Sequence, residues 1–350
     1  MGYSRRPAEE TEISRLIPID ALNAATPLDA LQVEPMADAD FFVRSNFEVP
    51  DLDAEAWTVS IAGLVEAPRS FTVDELRALG ESTEVVTVEC AGNGRRLMDP
   101  LPEGIAWSLG AASVAEFTGV PLRRVLDEVG PAVDVVDFVF TGADRGVIDS
   151  VGEMSYQFSL DPEVALGDGP MLIWGMNGGP LPPVHGGPLR LLVPGHYGMT
   201  SVKWLAEIDA IGAVHNGYFR ERYRFFEHPE VEDGSNVGPI WVRSLITSPA
   251  DGAATGRQLE VGGVAWSGHG PIASVAVRID DGEWLAAALG GQQAAHAPVS
   301  WSASVSLDPG EHAIAARATD EAGNTQPESI PWNSRGYANN VVHRITVTVT

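Results

Sequence analysis

The sequence predicts a two-domain protein, a mixed α+β domain followed by an all-β domain. The chain has 350 residues, which is long enough for two hydrophobic cores. Helical signals are confined to the part before residue 240, and short alternating strands with turn pairs follow it. We expect a first domain over residues 36–240 and a second over 241–350, preceded by an N-terminal extension (1–35) that lies on the surface.

Two short helices are predicted in the first domain. Thr72 and Glu75 have the spacing of a capping box that opens a helix over residues 71–80. A second helix is expected over 121–129, with Pro121 in its first turn. Buried strands are predicted from continuous apolar runs at residues 84–89, 135–140, 171–174 and 189–193.

The second domain shows the period of two that is typical of half-buried strands. Val275, Val277 and Ile279 share one face of such a strand. Turn pairs such as Pro309-Gly310 separate the runs. Roughly 110 residues of this pattern predict an antiparallel β-sandwich of the immunoglobulin-like class.

The composition restricts the partners that the protein can have. There are 48 acidic and 22 basic residues, a net charge of −26, which argues against nucleic acid as a partner. Lys203 is the only lysine, and such an acidic, lysine-poor surface resembles that of salt-adapted (halophilic-type) proteins. No apolar run is long enough to span a membrane, and none follows Arg5 and Arg6 as in a signal peptide. We therefore expect a cytoplasmic protein that is not bound to membranes.

Cys90 is the single cysteine of the chain, and it follows an alternating strand into a glycine-rich loop. A lone cysteine can form neither an internal disulfide nor a multi-cysteine metal site. The loop N–H groups and Arg95 and Arg96 behind it would favour a thiolate. Cys90 could ligate one soft metal centre, act as a nucleophile, or be a buried structural thiol.

Six sequence blocks occur in a fixed order along the chain. The loop reads Glu-Cys-Ala-Gly-Asn-Gly-Arg over 89–95, and a longer block starts as Met-Asn-Gly-Gly-Pro at residue 176. In this order the blocks resemble the sulfite oxidase family of molybdenum oxidoreductases. They lie at residues 41–50, 89–95, 117–122, 141–144, 176–205 and 323–327.

The resemblance implies an α+β catalytic domain of the sulfite oxidase type that binds molybdopterin, followed by an immunoglobulin-like dimerisation domain. It implies a homodimer and a molybdenum cofactor in which Cys90 supplies one thiolate ligand to the metal. Arg44 would hold a small oxyanion substrate, and Tyr223 would hydrogen-bond to it, although this alignment requires a one-residue deletion. The implied cofactor-binding residues are Asn46, Asp144, His185, Arg190, Ser201 and Lys203.

Six of these residues also have an ordinary structural alternative. Lys203 and Arg190 could be surface charges, His185 a turn cap, and Asp144 part of an Asp-turn. Arg44 could form a structural salt bridge, and Tyr223 could simply pack.

Two positions depart from the family pattern. Asn46 stands where a histidine is usual, and Ser274 stands where the second domain usually carries an arginine. A site without that guanidinium should bind a dianion less well, so sulfite is not assured as the substrate.

The function implied is oxygen-atom transfer to or from a sulfur oxyanion, with sulfite to sulfate foremost. Alternatives are a sulfane or thiosulfate dehydrogenase, an S- or N-oxide reductase, or a cofactor-free β-sandwich scaffold. Nitrate reduction fits less well, because those family members carry haem and flavin modules. The chain lacks a Cys-x-x-Cys-His haem motif, so a separate electron acceptor, such as a cytochrome, is expected.

Overall fold

The computed structural model describes residues 16–292 and 294–350, which form five β-sheets with short helices between the strands. The N-terminal unit contains the strands β1 (Ile17–Asp20), β2 (Asn23–Ala25), β3 (Val43–Arg44), β4 (Thr58–Gly63), β5 (Arg69–Thr72), β6 (Ser82–Glu89), β7 (Ala112–Pro121), β8 (Asp137–Ile148), β9 (Gly152–Leu160), β10 (Met171–Met176), β11 (Gly179–Pro180), β12 (Arg190–Leu192) and β13 (Leu205–Ile211). The C-terminal sandwich contains β14 (Arg243–Ser248), β15 (Ala253–Thr255), β16 (Gln258–Trp266), β17 (Ile272–Ile279), β18 (Leu285–Ala286), β19 (Ala288–Leu289), β20 (Val299–Ser306), β21 (Gly310–Asp320) and β22 (His343–Val349).

Four α-helices occur in the described residues, all in the N-terminal unit, and each is short. None of the helices in residues 16–292 and 294–350 has the length and apolar character needed to cross a membrane. Their bounds are α1 (Val73–Ala78), α2 (Leu122–Asp127), α3 (Pro162–Ala165) and α4 (Tyr218–Arg222).

The predicted helices occur with small shifts of their ends. The capping box is present, because the Glu75 N–H donates to Thr72 Oγ1 at 3.2 Å and the Glu75 carboxylate accepts from the Thr72 N–H at 2.8 Å. Pro121 precedes α2 as its N-cap, one position earlier than predicted. Its extended backbone still belongs to β7, where it pairs with Met171.

Two five-stranded sheets form most of the N-terminal unit. One has the order β11-β10-β7-β6 with β12 also paired to β10, and the other has the order β5-β4-β13-β8-β9. The second sheet is mixed, because β13 runs parallel to β4 and antiparallel to β8. With four short helices around them, these sheets make the α+β class that the sequence predicts.

The described part of the N-terminal extension does not simply lie on the surface, as the sequence led us to expect. Ala25 and Leu31 are buried, because β2 pairs with β3 and draws this segment into the core. In that pairing Asn23 lies opposite Arg44. The extension therefore helps to place Arg44.

The C-terminal sandwich confirms the predicted fold class, with sheets of order β14-β16-β20-β19 and β15-β22-β21-β17-β18. Val275 and Val277 are buried between the sheets, as their alternation predicts, whereas Ile279 is half-buried near the strand end. One strand pair departs from the predicted antiparallel arrangement, because β15 runs parallel to β22. A turn after Pro249 lays this short strand along the edge of the sheet, beside the end of the chain.

Candidate active site

Cys90 lies directly after β6, at the junction of two cavities. The first has a volume of about 700 Å³ and the second of about 520 Å³. Both are lined by Arg44, Cys90 and Tyr223. Cys90 is only partly buried, so a group in either cavity can reach its sulfur, unlike a thiol enclosed in the core.

Hydrogen bonds from the backbone hold the Cys90 loop in place. The Cys90 N–H donates to Ala111 O at 2.9 Å, and the Asn93 N–H donates to Cys90 O at 2.9 Å. The Asn93 side chain continues the anchoring, because its Oδ1 accepts from the Ala111 N–H at 3.1 Å. The sulfur atom is thus carried on a constrained turn rather than on a free loop.

A buried ion pair joins this loop to the C-terminal sandwich. Glu89, 0% exposed, places Oε1 2.8 Å from Nε of Arg243, which is 1% exposed. The same carboxylate accepts from Trp266 Nε1 at 2.8 Å and from Asn93 Nδ2 at 3.0 Å. Arg243 also donates to Asn339 O. The residue before Cys90 is therefore fixed by two strands of the sandwich, β14 and β16.

The first cavity brings together every site residue that the sequence predicts. They come from β3, β8 and β12 and from the segments that follow β3, β6, β11, β12 and α4, which are far apart in the chain. The predicted site residues, all of which are in its lining, are Arg44, Asn46, Cys90, Asp144, His185, Arg190, Ser201, Lys203 and Tyr223.

Lys203 and Arg190 line the first cavity, and both hydrogen-bond to neutral oxygen atoms. Lys203 Nζ donates to Ser45 Oγ at 2.6 Å and to Val184 O at 3.1 Å. Burial and the neighbouring Arg190 hold the pKa of Lys203 well below its usual range, and burial lowers the pKa of Arg190 to about 10. Arg190 donates to His185 O at 2.9 Å, whereas its buried Nε has no protein partner. Such a pair suits a phosphate group.

The same cavity presents polar groups of mixed character. Burial raises the pKa of Asp144 to about 6, opposed by Lys203, and Asp144 Oδ1 is buried without a protein partner. Burial lowers the pKa of His185 to about 4, so the ring is neutral at pH 7. Its Nε2 lies 3.2 Å from Asp38 O, and since a carbonyl only accepts, Nε2 carries the proton. An unpartnered carboxylate oxygen suits the amine groups of a pterin.

Ser201 and Asn46 line the cavity and also hydrogen-bond to neighbouring residues. Ser201 Oγ accepts from the Val193 N–H at 3.0 Å, which leaves its hydroxyl hydrogen available to the cavity. Asn46 Oδ1 accepts from Arg44 Nη2 at 2.7 Å. Asn46 therefore orients the Arg44 guanidinium.

Four arginines and one acidic residue, Glu103, line the second cavity beside Cys90. Tyr223 also lines it, and burial raises the pKa of this phenol, so Tyr223 is a hydrogen-bond donor at neutral pH. Such a concentration of positive charge in a protein of net charge −26 marks a site for an anion. The four arginines are Arg44, Arg95, Arg222 and Arg335.

The expectation that a guanidinium from the second domain is missing is wrong. Ser274 is exposed on β17 and lines neither cavity, so the residue at this position does not determine which guanidiniums are present in the site. The segment before β22 instead brings Arg335 into the second cavity. Sequence reasoning missed Arg335 and Arg222. The available signal for Arg335 was its setting in the run Trp-Asn-Ser-Arg-Gly at 332–336, which is typical of a structured loop.

Arg95 holds the Arg335 segment against the Cys90 loop. Its Nε and Nη2 donate to Arg335 O at 3.2 and 2.9 Å, and its Nη1 donates to Ile105 O at 2.8 Å. Gly336 has φ +62°, and a Cβ there would lie 2.8 Å from Arg95 Cγ. Only glycine fits this close approach. The position of Arg335 thus depends on Arg95.

Comparisons with known proteins agree with this architecture. Residues 46–219 match the family model "Oxidoreductase molybdopterin binding domain", and residues 237–350 match "Mo-co oxidoreductase dimerisation domain". Mitochondrial sulfite oxidase from Mus musculus is 31% identical over 335 residues, covering 88% of this chain and 60% of the relative. Nitrate reductase [NADH] from Solanum lycopersicum is 32% identical over 348 residues, covering 88% of this chain and 38% of the relative.

A solved structure extends the similarity to nearly the whole chain. The sulfane dehydrogenase SoxCD from Paracoccus pantotrophus superposes with a TM-score of 0.81 at 27% identity, covering 98% of this chain and 88% of that chain. The present chain spans only 60% of the length of the sulfite oxidase it matches. The chain belongs to the sulfite oxidase family of molybdenum-cofactor-dependent oxidoreductases. The predicted family, cofactor and fold class are confirmed.

Proposed function

We propose that this chain transfers an oxygen atom to or from a small sulfur oxyanion, and that its foremost reaction is oxidation of sulfite to sulfate. The observation that carries the proposal is the four-arginine cavity beside the sulfur of Cys90. Two unit charges about 4 Å apart attract each other by about 4 kcal/mol at an effective dielectric constant of about 20. Several guanidiniums around one dianion therefore supply substantial binding.

The proposed roles follow the two cavities. The first holds the pterin, with Lys203 and Arg190 on its phosphate and with Asp144, His185 and Ser201 facing its polar atoms. Asn46 acts there by orienting Arg44. When bound, the molybdenum cofactor supplies the two-electron redox chemistry, and Cys90 supplies a thiolate ligand to the metal.

In the second cavity the residues of the chain bind and orient the substrate. Arg44 and Arg335 bind the oxyanion, and Arg95 fixes Arg335. Bidentate bonds from guanidinium to oxyanion are short and directional, so they aim the sulfur lone pair as well as bind the ion. Tyr223 keeps its proton and donates a hydrogen bond near the reacting oxygen.

A second candidate is oxidation of a larger sulfur compound, as in a sulfane or thiosulfate dehydrogenase. One observation favours it: the similarity to SoxCD over 98% of this chain. Reduction of an S- or N-oxide would use the same groups in the opposite direction. The scaffold alternative has no support, because the chain matches an oxidoreductase family.

The assembly and location of the protein are also proposals. We propose a homodimer formed through residues 237–350, a separate electron acceptor such as a cytochrome, and a cytoplasmic location. We keep the division into residues 1–35, 36–240 and 241–350 as the proposed domain organisation.

The test is a comparison of substrates on metal-loaded enzyme. Molybdenum is quantified by elemental analysis, and reduction of an artificial acceptor is followed with sulfite, thiosulfate and an S-oxide couple. We expect sulfite-dependent reduction that is lost in Cys90→Ser and kept in Arg257→Ala, an exposed arginine of the sandwich. Molybdenum-loaded enzyme that ignores sulfite and oxidises thiosulfate would replace the first proposal with the second.

A further inference from the structure

Tyr337 reaches the second cavity from the C-terminal sandwich. Its side chain is 4% exposed and lines this cavity together with Arg95, Arg222 and Tyr223. Tyr337 belongs to the segment between β21 and β22, which also carries Arg335. The second domain therefore contributes an aromatic ring to the cavity as well as a guanidinium.

Ring packing holds the Tyr223 side chain in the cavity. Within residues 16–292 and 294–350 the Tyr223 hydroxyl has no hydrogen-bond partner, so it is free to donate to a bound group. The centre of the Tyr337 ring lies 5.5 Å from that of Tyr223, with the planes 35° apart, and the centre of the Phe158 ring lies 6.2 Å away at 65°. The direction of the free hydroxyl therefore depends on these two aromatic neighbours.

The hydroxyl of Tyr337 is already bonded and is not available to a substrate. It donates to Arg222 O at 3.2 Å, and a carbonyl oxygen can only accept. Burial raises the pKa of the Tyr337 phenol, so Tyr337 keeps the proton that this bond needs. Because Arg222 directly precedes Tyr223, the hydroxyl of Tyr337 holds the peptide group that joins these two residues.

Tyr337 is itself fixed to the Cys90 loop. The Tyr337 N–H donates to Asn333 Oδ1 at 3.0 Å, and Asn333 Nδ2 donates to Tyr337 O at 2.9 Å. The next residue, Ala338, donates its N–H to the carbonyl oxygen of Ala91 at 2.8 Å, one residue after Cys90. The segment therefore links the position of the Tyr337 ring to that of the Cys90 loop.

We propose that Tyr337 is a positioning residue that acts through Tyr223. Its ring and its bond to Arg222 O hold the Tyr223 hydroxyl in the direction that serves the reacting oxygen, while Tyr337 makes no bond to the substrate. The proposal rests on the role given to Tyr223 above. It assigns to the second domain a part in the reaction besides the binding of the anion by Arg335.

The position of Tyr223 matters because a hydrogen bond to a reacting atom weakens steeply when it is misaligned. A displacement of about 1 Å can lower a rate by up to about a hundredfold. Such a displacement leaves the arginines that bind the oxyanion in place. The loss should therefore appear in kcat rather than in KM.

The test is a double-mutant cycle on molybdenum-loaded enzyme, measured by steady-state kinetics with sulfite. Tyr337→Phe removes the bond to Arg222 O and keeps the ring, whose centre also lies 5.4 Å from the Arg95 guanidinium. We expect this change to lower kcat about tenfold, with KM and molybdenum content unchanged. In a Tyr223→Phe background the same change should alter kcat by less than about twofold, because the hydroxyl that Tyr337 positions is then absent.

Tyr197→Phe is the matched control, because it removes another buried phenol hydroxyl. The Tyr197 hydroxyl accepts from the Trp241 N–H at 3.3 Å, and Tyr197 lines neither cavity. This variant should keep the wild-type kcat. A wild-type kcat in Tyr337→Phe would overturn the proposal, and so would equal losses from Tyr337→Phe in the wild-type and Tyr223→Phe backgrounds.

Crystal structures of the molybdenum-loaded variants supply a measurement that does not depend on the substrate. We expect the Tyr223 ring to be displaced in Tyr337→Leu and in Tyr337→Phe, and the second variant decides the matter if the first does not fold. A Tyr223 ring in its wild-type position would overturn the proposal. Wild-type enzyme that fails to oxidise sulfite would count against the proposed function, and the crystal structures would still test the role of Tyr337.

Discussion

Replacing Arg243 with methionine is expected to destabilise the protein by about 4 kcal/mol, because it leaves the Glu89 carboxylate buried without its cation. Glu89 and Arg243 are 0% and 1% exposed, and Nε lies 2.8 Å from Oε1. Removing one partner of such a pair costs about 3–5 kcal/mol, and an orphaned carbonyl, here that of Asn339, adds about 1–3 kcal/mol. The bonds that Glu89 keeps from Trp266 and Asn93 reduce the loss.

The assay is urea unfolding of Arg243→Met followed by tryptophan fluorescence, with Arg257→Met as the matched control. The control removes an exposed arginine from its pair with Asp308, and such pairs contribute about 0–1 kcal/mol. Because Glu89 precedes Cys90, the variant should also speed alkylation of Cys90 in cofactor-free protein. A loss below about 1 kcal/mol, with alkylation at the wild-type rate, would refute the claim that this pair anchors the Cys90 loop.

Three further predictions concern the cavities. Arg335→Ala should raise KM for sulfite at least tenfold at unchanged molybdenum content; an unchanged KM in steady-state assays would remove Arg335 from the substrate site. Lys203→Met should reduce cofactor content severalfold, measured as molybdenum and pterin per chain, without lowering the free energy of unfolding of cofactor-free protein. Burial raises the pKa of Asp144 to about 6 from an ordinary 3.8, so the buried carboxyl gives up its proton as pH rises from about 4 to 6, and the folded protein loses stability over that range. Asp144→Asn should therefore stabilise the cofactor-free protein by about 2 kcal/mol more at pH 7 than at pH 4 in urea unfolding, and an equal effect at both would contradict this.

Local sequence patterns predicted the fold correctly where a few neighbouring residues are enough to determine the structure. The capping box of Thr72 and Glu75 needs only three residues of sequence, and the alternation of Val275 and Val277 needs only a strand with one buried face. The parallel pairing of β15 with β22 was not foreseen, because it joins segments some 90 residues apart through a turn at the edge.

The site was predictable where its residues carry a family motif. Eight of the nine predicted residues belong to a recognisable block, and Tyr223, which lies outside the six blocks, lines the same cavity. Arg335 was missed because its place in the cavity depends on contacts with Arg95, about 240 residues earlier in the chain, and not on any local periodicity. Ser274 was misjudged for a related reason: its position on a strand says nothing about which loop of the sandwich reaches the site.

The central claim is that the sulfur of Cys90 bonds to molybdenum. X-ray absorption at the molybdenum edge tests it directly on wild-type enzyme and on Cys90→Ser loaded to the same metal content. The account predicts one sulfur neighbour fewer around the metal in the variant, together with loss of turnover. An unchanged number of sulfur neighbours, or sulfite turnover at the wild-type rate, would contradict it.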